Sequence, residues 1–415
     1  MTNPDPVVIT GIATRDLRFN LGKGVGTDAV HTTSVWAYPV TVLTTNRPGL
    51  QGTGLGFTLG GGNDLVCKAA EELAKPLLNR NVEDLMAEFG KVSRSIAEHP
   101  QYRWLGPHKG AVGIALASIT NACFDLWSKV RGVPLYELLL SLSVDELLAC
   151  LDFSFLEDEL TVEQARKMLV DEWPRRAERM PILQRGYPCY DTGFGWLHFS
   201  DEEIEEKAKA ALNKGFKALK LKVGSADPDR DIRRARLVRK IVGPDVKLMF
   251  DVNEQWSVPQ AHKMCKALAE VNPFWIEEPT QPDDVFGHQS LVKAGYPIAV
   301  GEVIPNRIIF KSFMQARALH YVQVDPVRTG GVSECIVVAM LAKKFGLKMV
   351  PHVGDVGQIN QHLCFFYHIA LGHDEFFLEH MDHLHKYFVH PADVRDGVYR
   401  APTEPGASSD LKDGI

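Results

Sequence analysis

A closed (β/α) barrel behind a small α+β domain is the architecture this sequence predicts, on three observations. Short apolar, strand-like runs recur between Phe216 and Met381, most of them ending on an ionisable residue: FKALKLKV at 216–223, VKLMFDV at 246–252, FWIEEP at 274–279, IAVGEV at 298–303, YVQVDP at 321–326, LKMVPHV at 347–353 and EFFLEHM at 375–381. Lys222, Asp251, Glu277, Glu302, Asp325, His352 and Glu379 follow one another at intervals of 23 to 29 residues, with helical patterning between them. Parallel strands need a crossover of a dozen or more residues, so this is the period of a βα unit. The chain ahead of them starts with antiparallel-type alternation and continues in helices. About eight such units in roughly 250 residues close a barrel whose C-terminal strand ends share one mouth. Side chains far apart in sequence thereby become neighbours.

The 415 residues exceed one ordinary core. The expected division is a capping domain at 1–140, a catalytic barrel at 141–380 and an extended tail at 381–415. An apolar content of 45% with 24% charged residues is that of a soluble globular protein. The net charge of −6 offers no basic stripe for nucleic acid or an anionic membrane. MTNPDPVV lacks the pattern of a signal peptide, and no run reads as a membrane span, so a cytoplasmic location is expected. Seven cysteines, scattered from Cys67 to Cys364 without a CxxC, read as small buried thiols.

In chain order, VVITGIATRDLRF, WAYPVTVLTT and GTGLGFTL form a small antiparallel sheet, with a turn at NRPGLQG. The Gly-rich stretches at 20–33 and 60–64 read as mobile loops, and neither has the spacing of a nucleotide-binding motif. Three helices follow: NDLVCKAAEELAKPLLN with Asn63 and Asp64 as caps, NVEDLMAEFGKVSRSIAEH, and HKGAVGIALASITNACFDLWSKVRG. The third is apolar on most of its circumference, as expected of a helix buried between sheet and barrel. Residues 144–185 read as an insertion, with LLACLDFSF as a strand and EDELTVEQARKMLVDEWPRRAERM as a helix. YPCYDT at 187–192 supplies the first barrel strand. His380, His383 and His385 match no zinc spacing and read as hydrogen-bonded structural residues.

Asp251, Glu277 and Glu302 end three consecutive strands. Glu is a poor N-cap, so helix capping explains them badly, and three carboxylates at one mouth repel one another unless a cation neutralises them. An all-oxygen set points to a hard ion such as Mg²⁺. Asn253 shares a strand face with Asp251 and is a candidate substrate contact. Lys220 and Lys222 also share a face, opposite Leu219, Leu221 and Val223, which must meet the helices, so both lysines point into the barrel. A buried ammonium beside another cation is expected to have a lowered pKa, which suits a general base. His352 and Asp325 end adjacent strands, close enough for a carboxylate to fix the imidazole as an acid or base. Such a set suits removal of the proton α to a carboxylate, with the ion stabilising the enediolate and Glu379 donating to its oxygens. Reprotonation then gives a racemase or epimerase, and loss of a β-hydroxyl gives a dehydratase.

The order KLK, Asp, Glu in WIEEP, Glu in VGE, Asp and His resembles the enolase superfamily, mandelate racemase subgroup. The resemblance implies a (β/α)7β modified TIM barrel under an N-terminal α+β capping domain. It also implies Mg²⁺ on Asp251, Glu277 and Glu302, Lys222 as base with Lys220 beside it, His352 with Asp325 as second acid/base, and Glu379 as electrophilic acid. RWLGPHKG at 103–110, GFTLGGGND at 56–64, the pair Gly195–Trp196, EEPTQPDD at 277–284, NRIIFK at 306–311 and MDHLHKYF at 381–388 are similar to the L-fuconate dehydratase group and its L-galactonate dehydratase relatives. Departures fall around the mouth: Pro326 after Asp325, Asp355 and Gln358 after His352, Glu254 beside Asn253, and VIP at 303–305. Pro326 is expected to shift the partner of His352, and Asp355 and Gln358 to add polar groups to the pocket. The function implied is a Mg²⁺-dependent dehydratase of a sugar acid, giving a 2-keto-3-deoxy acid, in a homo-oligomer. A racemase or epimerase, or a silent scaffold, are the alternatives.

Overall fold

Alternating burial along Ile9–Asn20 (β1) pairs it antiparallel with Val35–Thr45 (β2), which pairs in turn with Gln51–Leu55 (β3). The computed structural model describes residues 6–106 and 108–415; the MTNPD start and the Pro107 of RWLGPHKG lie outside the described residues. Four helices close one face of this sheet: Asn63–Leu73 (α1), Val82–Met86 (α2), Phe89–Ala97 (α3) and Gly110–Arg131 (α4). Asn63 does not cap α1, because Gly62 holds the N-cap position at φ 74° and the Asn63 amide donates instead to Asp16 at 2.6 Å. The single helix expected over 81–99 is split into α2 and α3. Gly90 lies against the chain at Leu151, where a Cβ would come within 2.2 Å of the carbonyl oxygen.

Among the described residues α4 is the one helix long and apolar enough to cross a membrane, which corrects the expectation that no run has that character. Its window is 83% buried inside the fold. The helix sits where its composition predicts, between sheet and barrel: the Asn121 amide donates to Leu55 O at 3.0 Å and to Pro326 O at 2.9 Å.

Leu135–Ser141 (α5), Val144–Ala149 (α6), Val162–Glu172 (α7), Arg176–Arg179 (α8) and Ile182–Arg185 (α9) lead to the barrel. LLACLDFSF is therefore not a strand. Ser143 and Glu146 form a reciprocal capping box that starts α6 upstream of it, and the remaining residues run as a buried coil. Thr161 and Gln164 start α7 in the same way.

The barrel strands are Tyr187–Asp191 (β4), Ala218–Lys222 (β5), Lys247–Asp251 (β6), Ile276–Glu277 (β7), Ile298–Val300 (β8), Tyr321–Val322 (β9), Lys348–Met349 (β10) and Leu378–His380 (β11). They are parallel in sequence order from β4 to β10, and β11 returns to pair with β4. Seven helices alternate with them: Asp201–Asn213 (α10), Pro228–Val242 (α11), Val258–Leu268 (α12), Val285–Lys293 (α13), Arg307–Gln315 (α14), Val332–Phe345 (α15) and Asn360–Leu371 (α16). No helix of that kind follows β11, so the fold is a (β/α)7β barrel. Between β10 and β11 the wall is tied by the Gly354 N–H donating to Glu379 O at 2.8 Å. Tyr190, Ala218, Met249, Trp275, Ala299 and Val350 pack as an apolar plug inside it.

The tail is less extended than expected. It forms a hairpin, Val394–Arg395 (β12) with Val398–Tyr399 (β13), which pairs with the start of β4, and then returns to the cap. There the buried Asp125 carboxylate accepts the Ala407 N–H at 2.7 Å and the Thr53 N–H at 2.8 Å. His362 of α16 is fully buried beside Ser408, 3.1 Å from its hydroxyl, and burial pushes its imidazole down to about 3. The unfolded chain takes that proton near pH 6.5 and the folded chain refuses it. This contribution to stability is complete above about pH 6.5 and is lost as pH falls toward 3, by up to roughly tenfold in the folding equilibrium per pH unit. Thermal melts between pH 7 and pH 4 should accordingly show a shallower acid slope for His362→Gln than for the parent chain. Equal slopes would remove His362 from the acid response.

All seven cysteines are buried free thiols.

Candidate active site

Alternation along β5 decides which way the lysines point. Leu219 and Leu221 join the outer core with the helices, while Lys220 and Lys222 project inward above Ala218. Register then sets Lys222 beside Asp251 and Asp251 beside Glu277. Lys220 is fully buried, its ammonium 2.5 Å from Glu277 Oε1, 2.7 Å from Glu379 Oε1 and 3.1 Å from Asp251 Oδ2. Lys222 Nζ lies 2.5 Å from Asp251 Oδ2 and donates to Asn253 Oδ1 at 3.0 Å. Trp196 crosses above it, 5.6 Å from ring centre to Nζ. Gly195 permits that approach, since a Cβ there would meet Lys220 O at 2.8 Å.

The far side of the mouth is built on Glu302. The Arg328 guanidinium donates to its Oε1 at 2.7 Å, and His352 Nε2 lies 3.0 Å from its Oε2. His352 Nδ1 is 2.7 Å from Asp325 Oδ2, so Pro326 does not displace this partner; the other Asp325 oxygen accepts the Val327 N–H at 2.9 Å. Glu379 Oε2 stands 3.5 Å from His352 Nε2, placing Glu379 between the histidine and Lys220. The structure thus brings Lys220, Lys222, Asp251, Asn253, Glu277, Glu302, Asp325, His352 and Glu379 to one mouth.

Burial sets the electrostatics. It works against the charge on both lysines, but Asp251 outweighs it at Lys222, and Glu277 and Glu379 outweigh it at Lys220, so both sit above the usual lysine range. This reverses the lowered lysine expected from sequence, which counted the neighbouring cation and not the carboxylates facing it. Burial likewise opposes the His352 charge, yet Glu302 and Glu379 raise it to about 10. Glu277 is pushed up to about 8 by burial, against the pull of Lys220. Glu254 is pushed up to about 7 by burial and by Glu302.

Asp251, Glu277 and Glu302 are all buried, with ligand oxygens within 4.8 Å of one another. Glu302 Oε2 and both oxygens of the buried Glu278 accept no hydrogen bond among the described residues. Buried carboxylates raised by one another, all-oxygen donors and unsatisfied acceptors fit a hard divalent cation. Sequence reasoning passed over Glu278, the second Glu of WIEEP, which the chain holds at φ 43° beside the first. Asn253, Glu254 and Val353 also have positive φ, and strain of this kind gathers at functional strand ends, at about 1–3 kcal/mol each.

A cavity of about 540 Å³ opens over these groups, lined by Lys222, Asn253, Glu302, Asp325 and His352 on the barrel side. Both loops flagged in the sequence reach it, through Asp28 and His31 and through Phe57 to Gly62, and so do Glu254, Val303, Ile304 and Pro305. Asp355 and Gln358 do not. Asp355 is fully buried against His380 Nδ1 at 2.6 Å, His385 Nε2 at 2.8 Å and the Met381 N–H, while Gln358 turns to Asp355 O and Gln361. The expected polar additions to the pocket are therefore structural. His383 receives the Trp196 indole N–H at 3.1 Å.

The family profile described as "Enolase C-terminal domain-like" matches residues 203–415. Human mitochondrial enolase superfamily member 1 is 39% identical over 98% of this chain and 94% of its own length. The chain belongs to the enolase superfamily. Within that superfamily it is also 37% identical to the L-galactonate dehydratase of Hypocrea jecorina, over 98% of this chain and 92% of the relative. The crystal structure of the human protein superposes with a TM-score of 0.95 at 38% identity, covering 98% of this chain and 95% of that one. An L-talarate dehydratase from a Polaromonas species, complexed with Mg and L-glucarate, superposes with a TM-score of 0.76 at 26% identity, covering 99% and 96%. Superfamily membership accounts for the mandelate racemase-like order of strand-end residues, and the neighbours share the cap as well as the barrel.

Proposed function

We propose that this protein is a divalent-cation-dependent dehydratase of sugar acids, acting on a 2,3-dihydroxy carboxylate of the L-galactonate or L-fuconate type. The observation that carries the reading is the placement of Lys222 and the Asp325–His352 pair on either flank of the Asp251, Glu277 and Glu302 carboxylates, in one cavity. The dehydratases among the relatives that span this chain support it.

Asp251, Glu277 and Glu302 would hold Mg²⁺, which supplies charge stabilisation for a substrate carboxylate as it becomes an enediolate. Lys222, as the free amine, takes the C2 proton, and Asn253 holds its Nζ in line. Lys220, fixed by its carboxylates, keeps a positive charge beneath the reacting carboxylate. His352, protonated and oriented by Asp325, gives its proton to the 3-hydroxyl as the C3–O bond breaks, and water leaves. Glu379 contributes a hydrogen bond to the same oxygens when protonated. The resulting enol tautomerises to a 2-keto-3-deoxy acid.

Proton NMR of the protein with Mg²⁺ and L-galactonate, L-fuconate or galactarate in D₂O tests this directly. Loss of the C2 proton with new C3 methylene signals is the expected result. Exchange or inversion at C2 without loss of water would replace the reading by racemisation or epimerisation, and silence across the panel would favour a scaffold.

A further inference from the structure

The cap carries a second carboxylate–imidazole pair that the mechanism above does not use. Asp28 and His31 lie in the loop between β1 and β2 and line the same cavity as Lys222 and His352. His31 Nδ1 stands 2.9 Å from Asp28 Oδ2, and Asp28 Oδ1 accepts the backbone N–H groups of Val30 at 2.8 Å and His31 at 2.7 Å. The Asp28 N–H closes the turn on His31 O at 2.9 Å. This turn is pinned to the barrel, where the Leu197 N–H reaches Thr27 O at 3.3 Å and Ala29 packs against Gly224, two residues beyond Lys222. The dyad is thus prefixed rather than free to swing.

An ionised carboxylate only accepts hydrogen bonds, so Nδ1 of His31 is the donor and Nε2 keeps its lone pair. Among the described residues no group bonds Nε2, and 39% of the side chain is accessible. The cap wall around it is largely apolar: Trp36, Phe57, Leu59, Leu65 and Ile114. One fixed acceptor in an apolar wall is how a pocket reads a single hydroxyl, because the wrong ligand leaves it unpaired.

Resting on the dehydratase reading, we propose that His31, held by Asp28, is a specificity-determining residue that accepts a hydrogen bond from a hydroxyl beyond C3 of the sugar acid. The barrel residues handle C1 to C3, so a group on the cap meets the far end of the carbon chain. His31 then distinguishes long polyhydroxy acids from short ones without touching the reacting atoms.

The test is calorimetric binding with Mg²⁺ in a Lys222→Ala background, which stops turnover, using six-carbon L-galactonate and four-carbon L-threonate. His31→Ala should weaken L-galactonate about tenfold while leaving L-threonate within about twofold, and His31→Gln, whose amide oxygen reaches a similar point, should recover part of the loss. An unchanged preference for the longer acid, or equal weakening of both, would overturn the role of His31. If the protein with His31 intact binds neither acid, the sugar-acid reading itself fails and takes His31 with it.

Discussion

Lys222→Ala is expected to lower both C2 proton exchange and dehydration by about 10²–10⁴-fold, the range a positioned general base supplies. No neighbour can take its place. Lys220 is nearest in kind but fully buried, with its three hydrogens committed to Glu277, Glu379 and Asp251, and it sits one inward position deeper on β5. His352 faces the substrate from the Glu302 flank and would reach the other side of C2. Lys222→Ala removes the charge closest to Asp251, so its cation site gains net negative charge, and Mg²⁺-dependent stabilisation should persist. Following the deuterium content at C2 by NMR separates the outcomes. A variant that keeps more than about a tenth of the exchange rate would transfer the base to another residue, and one that also loses its Mg²⁺ response would mean the mouth itself had collapsed.

Much of this site could be read from period and alternation alone. Strand ends spaced by one βα unit must share a mouth, and the two-residue repeat in KLK fixes which face is inward, so Lys220, Lys222, Asp251, Glu277, Glu302, Asp325 and His352 are found together. What the sequence concealed depends on how loops turn after those strands. Asp355 follows His352 by three residues and looks like a pocket group, yet the chain leaves β10 through Val353 at φ 38° and turns Asp355 toward His380 and His385. Glu278 looked like a spare copy of Glu277, and a positive φ keeps it buried at the mouth. The charge state of the lysines was misread for a related reason: spacing reveals who shares a strand face, whereas the carboxylates that raise their pKa arrive from neighbouring strands. LLACLDFSF shows the local version of the problem, where an apolar run was read as a strand although a Ser-x-x-Glu box just upstream had already started a helix.

Glu277→Gln should abolish most of the stabilisation that Mg²⁺ confers. A ligand binding only the folded state adds about 2.7 kcal/mol at one hundred times its dissociation constant, so an intact site gives a melting shift that grows with Mg²⁺ concentration. Glu277 is the middle strand end of the three, held by Lys220 on Oε1 and by the Trp275 indole N–H on Oε2 at 2.9 Å. The amide preserves shape and can keep one of these contacts, but it removes a full negative charge from a dry cluster, where a hard cation depends on that charge most. The same substitution leaves Lys220 with Asp251 and Glu379 as partners, so the metal-free protein should still fold. Melts of the parent, Glu277→Gln and Lys222→Ala across a Mg²⁺ series distinguish the cases. Loss of the shift in Glu277→Gln alone assigns the cation to the three strand-end carboxylates. A full shift in Glu277→Gln would falsify that assignment and leave Glu254, Glu278 and Glu302 as the acidic groups to examine next.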